Sequence, residues 1–96
     1  MNIEEILKTL GSHKQELQKR FGIKELGVFG SYVRGDQRED SDLDVLVEFE
    51  TPVDFFTFLE LEVVISRLTG VKVDLVMKKA LKPQIGKNIL KEVIYI

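Results

Sequence analysis

Residues 25–49 read ELGVFGSYVRGDQREDSDLDVLVEF. How this stretch divides decides the fold. In LDVLVEF, residues 43–49, Leu43, Val45, Val47 and Phe49 fall on one face. Asp42, Asp44, Leu46 and Glu48 fall on the other, the two-residue period of a strand with one apolar side. ELGVF, residues 25–29, is a shorter strand ending at Gly30. Ser31 to Arg34 fits one helical turn stopped by Gly35, and DQREDS is polar and turn-like. Acidic residues are normally kept out of strands, so Asp42 and Asp44 at the mouth of the clearest strand require compensation.

The flanking sequence supplies helices and one more strand. Ile3, Ile6, Leu7, Leu10, Leu17 and Phe21 follow helical spacing. Asn2 and Glu5 make a capping-box pattern, so a helix is expected over 3–20, loosened near Gly11 and stopped at Gly22. Thr51-Pro52-Val53-Asp54 reads as a helix start with Thr51 as cap and Pro52 in the first turn. That helix runs to about Thr69 and ends at Gly70. VKVDLVM, residues 71–77, is a strand with Asp74 opposite its apolar stripe. Pro83 opens a last helix with Ile85, Ile89 and Val93 on one stripe, weakened by Gly86. The order predicts one α+β domain over 1–96: a small mixed sheet of three to four strands with helices mainly on one face.

Composition narrows the chemistry. Hydrophobic residues are 44% and charged residues 31% of 96 residues, as in ordinary globular chains. There is no cysteine and one histidine, which excludes disulfides and cysteine-ligated zinc and leaves oxygen as the donor for any metal, favouring Mg²⁺. A net charge of −2 argues against direct nucleic-acid binding, for which a basic surface is usual. No apolar run reaches the length of a membrane span, and the acidic, amphipathic N-terminus is unlike a secretion signal. A cytoplasmic protein is expected; a homo-oligomer is left open.

Asp42 and Asp44, two apart on a strand, project to the same side. If the strand carrying Asp74 pairs with theirs, three carboxylates gather. Two unit charges 4 Å apart repel by about 1 kcal/mol in water and about 4 kcal/mol at an effective dielectric of 20. A divalent cation would neutralise such a cluster, and a pair of ions shared by the carboxylates makes a phosphoryl- or nucleotidyl-transfer centre. Gly30-Ser31, where strand turns to helix, would hold phosphate through backbone N–H groups and the Ser31 hydroxyl.

GSYVRGDQREDSDLDVLV resembles the GSx10DxD signature of the DNA polymerase β-like nucleotidyltransferase superfamily, with residues 32–41 as the ten-residue spacer. The length, the late Asp74 and the C-terminal LKPQIGKNILKEVIYI look like its minimal nucleotidyltransferase branch. The resemblance implies a nucleotidyltransferase-like fold in which Gly30 and Ser31 bind the triphosphate of ATP and Asp42, Asp44 and Asp74 bind two Mg²⁺ ions and carry catalysis. Such chains are typically partnered by a HEPN-domain toxin. The resemblance therefore implies an antitoxin that transfers AMP to a toxin tyrosine. The alternative is a non-catalytic module that blocks its partner by binding it.

The helix from Pro52 carries apolar residues around more than one face, including Phe55, Phe56, Leu59 and Val63, which suits a partner. Arg34 could reach phosphate. Lys78, Lys79 and His13 read as surface residues.

Overall fold

The alternation of 43–49 is realised as the central strand of the sheet. The structure, a computed structural model, describes all of residues 1–96. Its elements are α1 (Ile3–Ser12), α2 (Lys14–Phe21), β1 (Ile23–Phe29), α3 (Ser31–Arg34), β2 (Leu43–Phe49), α4 (Phe55–Thr69), β3 (Val73–Met77), α5 (Pro83–Glu92) and β4 (Ile94–Tyr95), with one 3₁₀ turn at Lys78–Ala80. The sheet order is β3-β2-β1-β4. Strands β1 and β2 are antiparallel, β1 and β4 are antiparallel, and β2 and β3 are parallel. The expected α+β class with a mixed sheet is thus observed, with four strands.

One face of the sheet carries the core. Leu43, Val45, Val47 and Phe49 of β2 join Ile23, Leu26 and Val28 of β1 and Val73 and Leu75 of β3. Ile6 and Leu10 of α1, Leu17 and Phe21 of α2, and Leu61 and Ile65 of α4 cover them. The capping box forms: Asn2 Oδ1 accepts from the Glu5 amide at 2.9 Å.

The opposite face is partly covered too. Leu46 and Phe29 are buried there, outside the main core. Gly27 leaves room for the C-terminal segment: a Cβ at Gly27 would overlap the Val93 side chain and crowd Tyr95. No helix is long and apolar enough to cross a membrane.

Four element boundaries differ from expectation. The first helix is divided at His13, not Gly11. His13 closes α1 and opens α2, and its Nδ1 lies 2.9 Å from the Thr9 carbonyl oxygen. Strand β1 starts at Ile23, two residues early. A bulge between Ile23 and Glu25 shifts the register, so Ile23 and Leu26 both face the core despite their odd spacing. Helix α4 starts at Phe55 with Asp54 as its cap, accepting from the Thr57 amide at 2.7 Å; Thr51 is not the cap. Strand β3 starts at Val73 instead of Val71. In α5, Ile85 is exposed instead of lying on a packed stripe.

Candidate active site

Gly30 ends β1 with φ 84° and ψ −154°, a conformation essentially reserved for glycine. A second constraint acts on the same atom. A Cβ at Gly30 would overlap Oδ2 of Asp44 and sit 2.9 Å from its Cγ. The missing side chain therefore makes room for a carboxylate of this chain. Ser31, half-buried, opens the single turn of α3, which Gly35 closes at φ 80° with its N–H donating to the Ser31 carbonyl at 2.9 Å.

The register of the sheet places the acids. Asp44 pairs with Phe29 at the end of β1 and with Asp74 at the start of β3. Directly paired residues project their side chains to the same face. Asp44 and Asp74 are therefore neighbours on the side away from the core, with Asp74 exposed and Asp44 half-buried. Asp42 lies two residues earlier, immediately before β2. The Leu43 amide donates to the Lys72 carbonyl at 2.8 Å, which holds this entry to β2 beside the entry to β3.

Electrostatics single out Asp44. Burial, then the charges of Asp74 and Asp42, push its pKa up from 3.8 to about 6, against a lowering by Arg34. The ion pairs of the chain leave Asp42, Asp44 and Asp74 all without a cationic partner. As the side chains stand, no three acidic or histidine groups are close enough to form a ligand set. The backbone thus places the three acids near one another, and their charges repel, but contrary to expectation the carboxylates are not gathered around a point. The donors nevertheless suit a hard divalent cation: all are carboxylate oxygens, and the central one carries uncompensated charge.

Beside Asp42 opens a cleft of about 290 Å³, bounded by Tyr32, residues 39–42 and Gly70 to Lys72. Asp42 is part of its wall, so the cleft adjoins the acids.

Two residues complete the geometry. Arg34 Nη1 donates to Glu92 Oε1 at 2.7 Å, and the Gly30 amide donates to Glu92 Oε2 at 3.1 Å. Arg34 was legible from its place three residues after Ser31. Glu92 gave no signal, because it lies 62 positions from Gly30 and reaches it only through the fold. Lys78 takes no part. It donates to Glu25 at 3.1 Å, near the position where Glu25 pairs with Glu48, four residues along β2 from Asp44.

Comparison with known families places the chain as a whole. The model of the nucleotidyltransferase domain matches residues 10–96. The chain is a member of the nucleotidyltransferase-domain family. This nucleotidyltransferase is 52% identical over 96 residues to the protein adenylyltransferase MntA of Thermococcus cleftensis, covering 100% of this chain and 97% of that one. It superposes on a solved minimal nucleotidyltransferase with a TM-score of 0.75 at 36% identity, covering 98% of this chain and 95% of the other. The fold also matches, with a TM-score of 0.67 at 16% identity, a chain in the complex of the tri-AMPylated HEPN toxin of Shewanella oneidensis with MNT antitoxin, covering 94% and 70% respectively.

Proposed function

We propose that this nucleotidyltransferase is a Mg²⁺-dependent protein adenylyltransferase that moves AMP from ATP to a tyrosine of a HEPN-type toxin and thereby acts as its antitoxin. The observation that carries the reading is the pairing of Asp44 with Asp74, beside Gly30, in a chain half identical to a protein adenylyltransferase along its whole length. Asp42 and Asp44 would hold two ions and Asp74 the one nearer the acceptor. Bound there, Mg²⁺ supplies positive charge to the triphosphate and to the attacking oxygen. Gly30 and Ser31 orient the phosphates. The phenol oxygen attacks the α-phosphorus as its proton passes to a carboxylate of the acid cluster, the bond from the α-phosphorus to the oxygen bridging to the β-phosphate breaks, and pyrophosphate leaves. Little acid–base chemistry is asked of the protein, since placement and charge supply most of the acceleration in this class of reaction.

The chain provides a surface for the acceptor protein. On α4, Phe55 and Phe56 are 68% and 78% exposed, and Leu59 and Val63 continue the same stripe at helical spacing. A contiguous apolar face of this kind favours a protein acceptor over a small molecule. It supports equally a second reading, in which the chain silences its partner by covering it.

One experiment separates the two readings. The protein is incubated with ATP, Mg²⁺ and the product of the neighbouring gene, and both chains are weighed intact. Transfer predicts AMP increments on the partner, abolished in Asp42→Asn and Asp44→Asn. A partner that stays unmodified yet is fully inhibited, also by the double variant, would establish blocking by contact and reject catalysis.

A further inference from the structure

Glu92 is the last residue of α5 and shares no sequence motif with the acid cluster. Its carboxylate nonetheless spans two donors on the Asp44 side of the sheet end, the Gly30 amide at 3.1 Å and the Arg34 guanidinium at 2.7 Å. A backbone N–H and a guanidinium that together receive two oxygens of one carboxylate can receive two oxygens of one phosphate in the same way. The Glu92 side chain is 21% exposed, against 53% for Arg34. The carboxylate therefore lies inward of the arginine, against the glycine turn. Its backbone is fixed from the next residues on: Ile94 and Tyr95 pair with Val28 and Gly27. A fourth carboxylate beside three unpaired ones is electrostatically adverse unless the donors it engages compensate.

We propose that Glu92 is a built-in occupant of the phosphate seat, a positioning residue that holds Gly30 and Arg34 ready and is displaced by the incoming nucleotide triphosphate. This rests on reading Gly30 as a phosphate-binding residue. Because β4 anchors the backbone, displacement is a rotation of the Glu92 side chain and α5 need not detach. Arg34, released from Glu92 while its Nε still donates to Asp36 at 3.4 Å, then has Nη1 available for phosphate. Only a ligand that makes further contacts, as a triphosphate with its metal does, offsets the loss of the Glu92 pairings; the pyrophosphate product, one phosphate shorter and without the nucleoside, does so less well and leaves readily.

The test is equilibrium binding of Mg·ATP, and separately of Mg·tripolyphosphate, to wild type, Glu92→Gln and Glu92→Ala, by calorimetry. The Gly30 amide resonance is followed in parallel. Removal of a resident competitor raises apparent affinity by the reciprocal of the fraction of molecules it had left open, about three- to tenfold for a seat open in about a third to a tenth of them. Both variants are expected to bind both ligands more tightly, and the wild-type Gly30 resonance is expected to move on saturation. Gln keeps the length of the side chain and an acceptor for the Gly30 amide but loses the charge that pairs with Arg34, so Glu92→Gln, with a smaller gain than Glu92→Ala, decides the matter even if Glu92→Ala folds poorly. Binding by wild type with equal or weaker binding by Glu92→Gln overturns the role of Glu92 alone. No binding of either ligand by any of the three proteins overturns the phosphate-seat reading as well.

Discussion

At Asp44, burial and charge act in the same direction. The folded-state pKa of about 6 lies above the ordinary 3.8, so the native protein binds this proton more tightly than the unfolded chain does. The associated stability is complete below about pH 3.8, declines as pH rises through that window, and is lost above about pH 6. Asp44→Asn should therefore stabilise the metal-free protein at pH 7.5 by about 1 kcal/mol, after allowance for solvent screening at a half-exposed group. The gain should vanish toward pH 4. Thermal melts at the two pH values check the sign; an equal effect at both would rule out this origin. The same proton competes with a cation, so Mg²⁺ affinity measured by calorimetry should fall as pH drops below about 6. Gly30 is constrained twice, by backbone conformation and by the Asp44 carboxylate against it. Gly30→Ala should cost about 2–4 kcal/mol in denaturant unfolding and abolish AMP transfer. Sequence alone singled out Gly30 as a point of close approach, and the approach it permits is first of all that of a side chain in the same molecule.

At the scale of the element, helix α4 separates what local chemistry can and cannot establish. Thr51-Pro52 has every mark of a helix start, yet the helix begins at Phe55 because Asp54 accepts the Thr57 amide. Both sites satisfy the preferences for a cap. The choice between them is made by where α4 must lie for Leu61 and Ile65 to reach the core, and residues 51–54 carry no information on that. Asp54→Ala should lower the melting temperature by about 4–8 °C, the equivalent of about 1 kcal/mol in a chain of this size. Thr51→Ala should leave it unchanged. Glu62 of the same helix accepts from the Leu75 amide at 3.1 Å, fastening α4 to the outer strand β3 and so to the strand that carries Asp74. The bulge near Lys24 is another tertiary choice. It lets Ile23 and Leu26 share a face, and alternation read from Glu25 onward could not place it.

At the scale of the molecule, the candidate site residues collect where β1 ends and β2 and β3 begin, and α4 exposes an apolar stripe of its own. Phe55→Ala together with Phe56→Ala should leave stability within about 0.5 kcal/mol of wild type, since both rings are exposed. The pair should weaken complex formation with the partner at least tenfold in a pull-down or calorimetric titration, and an undiminished affinity would remove this face from the interface. The sequence by itself determined the motif and the main elements: β2 to the residue, the turn 31–34, the end of α4 at Gly70, the helix start at Pro83, and the candidates Gly30, Ser31, Asp42, Asp44 and Asp74. Those features are local, set by alternation, by glycine stops and by fixed spacing along one strand. Only the tertiary structure decided that β3 lies parallel to β2 with Asp74 opposite Asp44, that β4 closes the far edge, and that Glu92 reaches Gly30. Each of these depends on contacts between residues distant in the chain. Such contacts follow from how faces pack and strands align, and no short stretch of sequence encodes them.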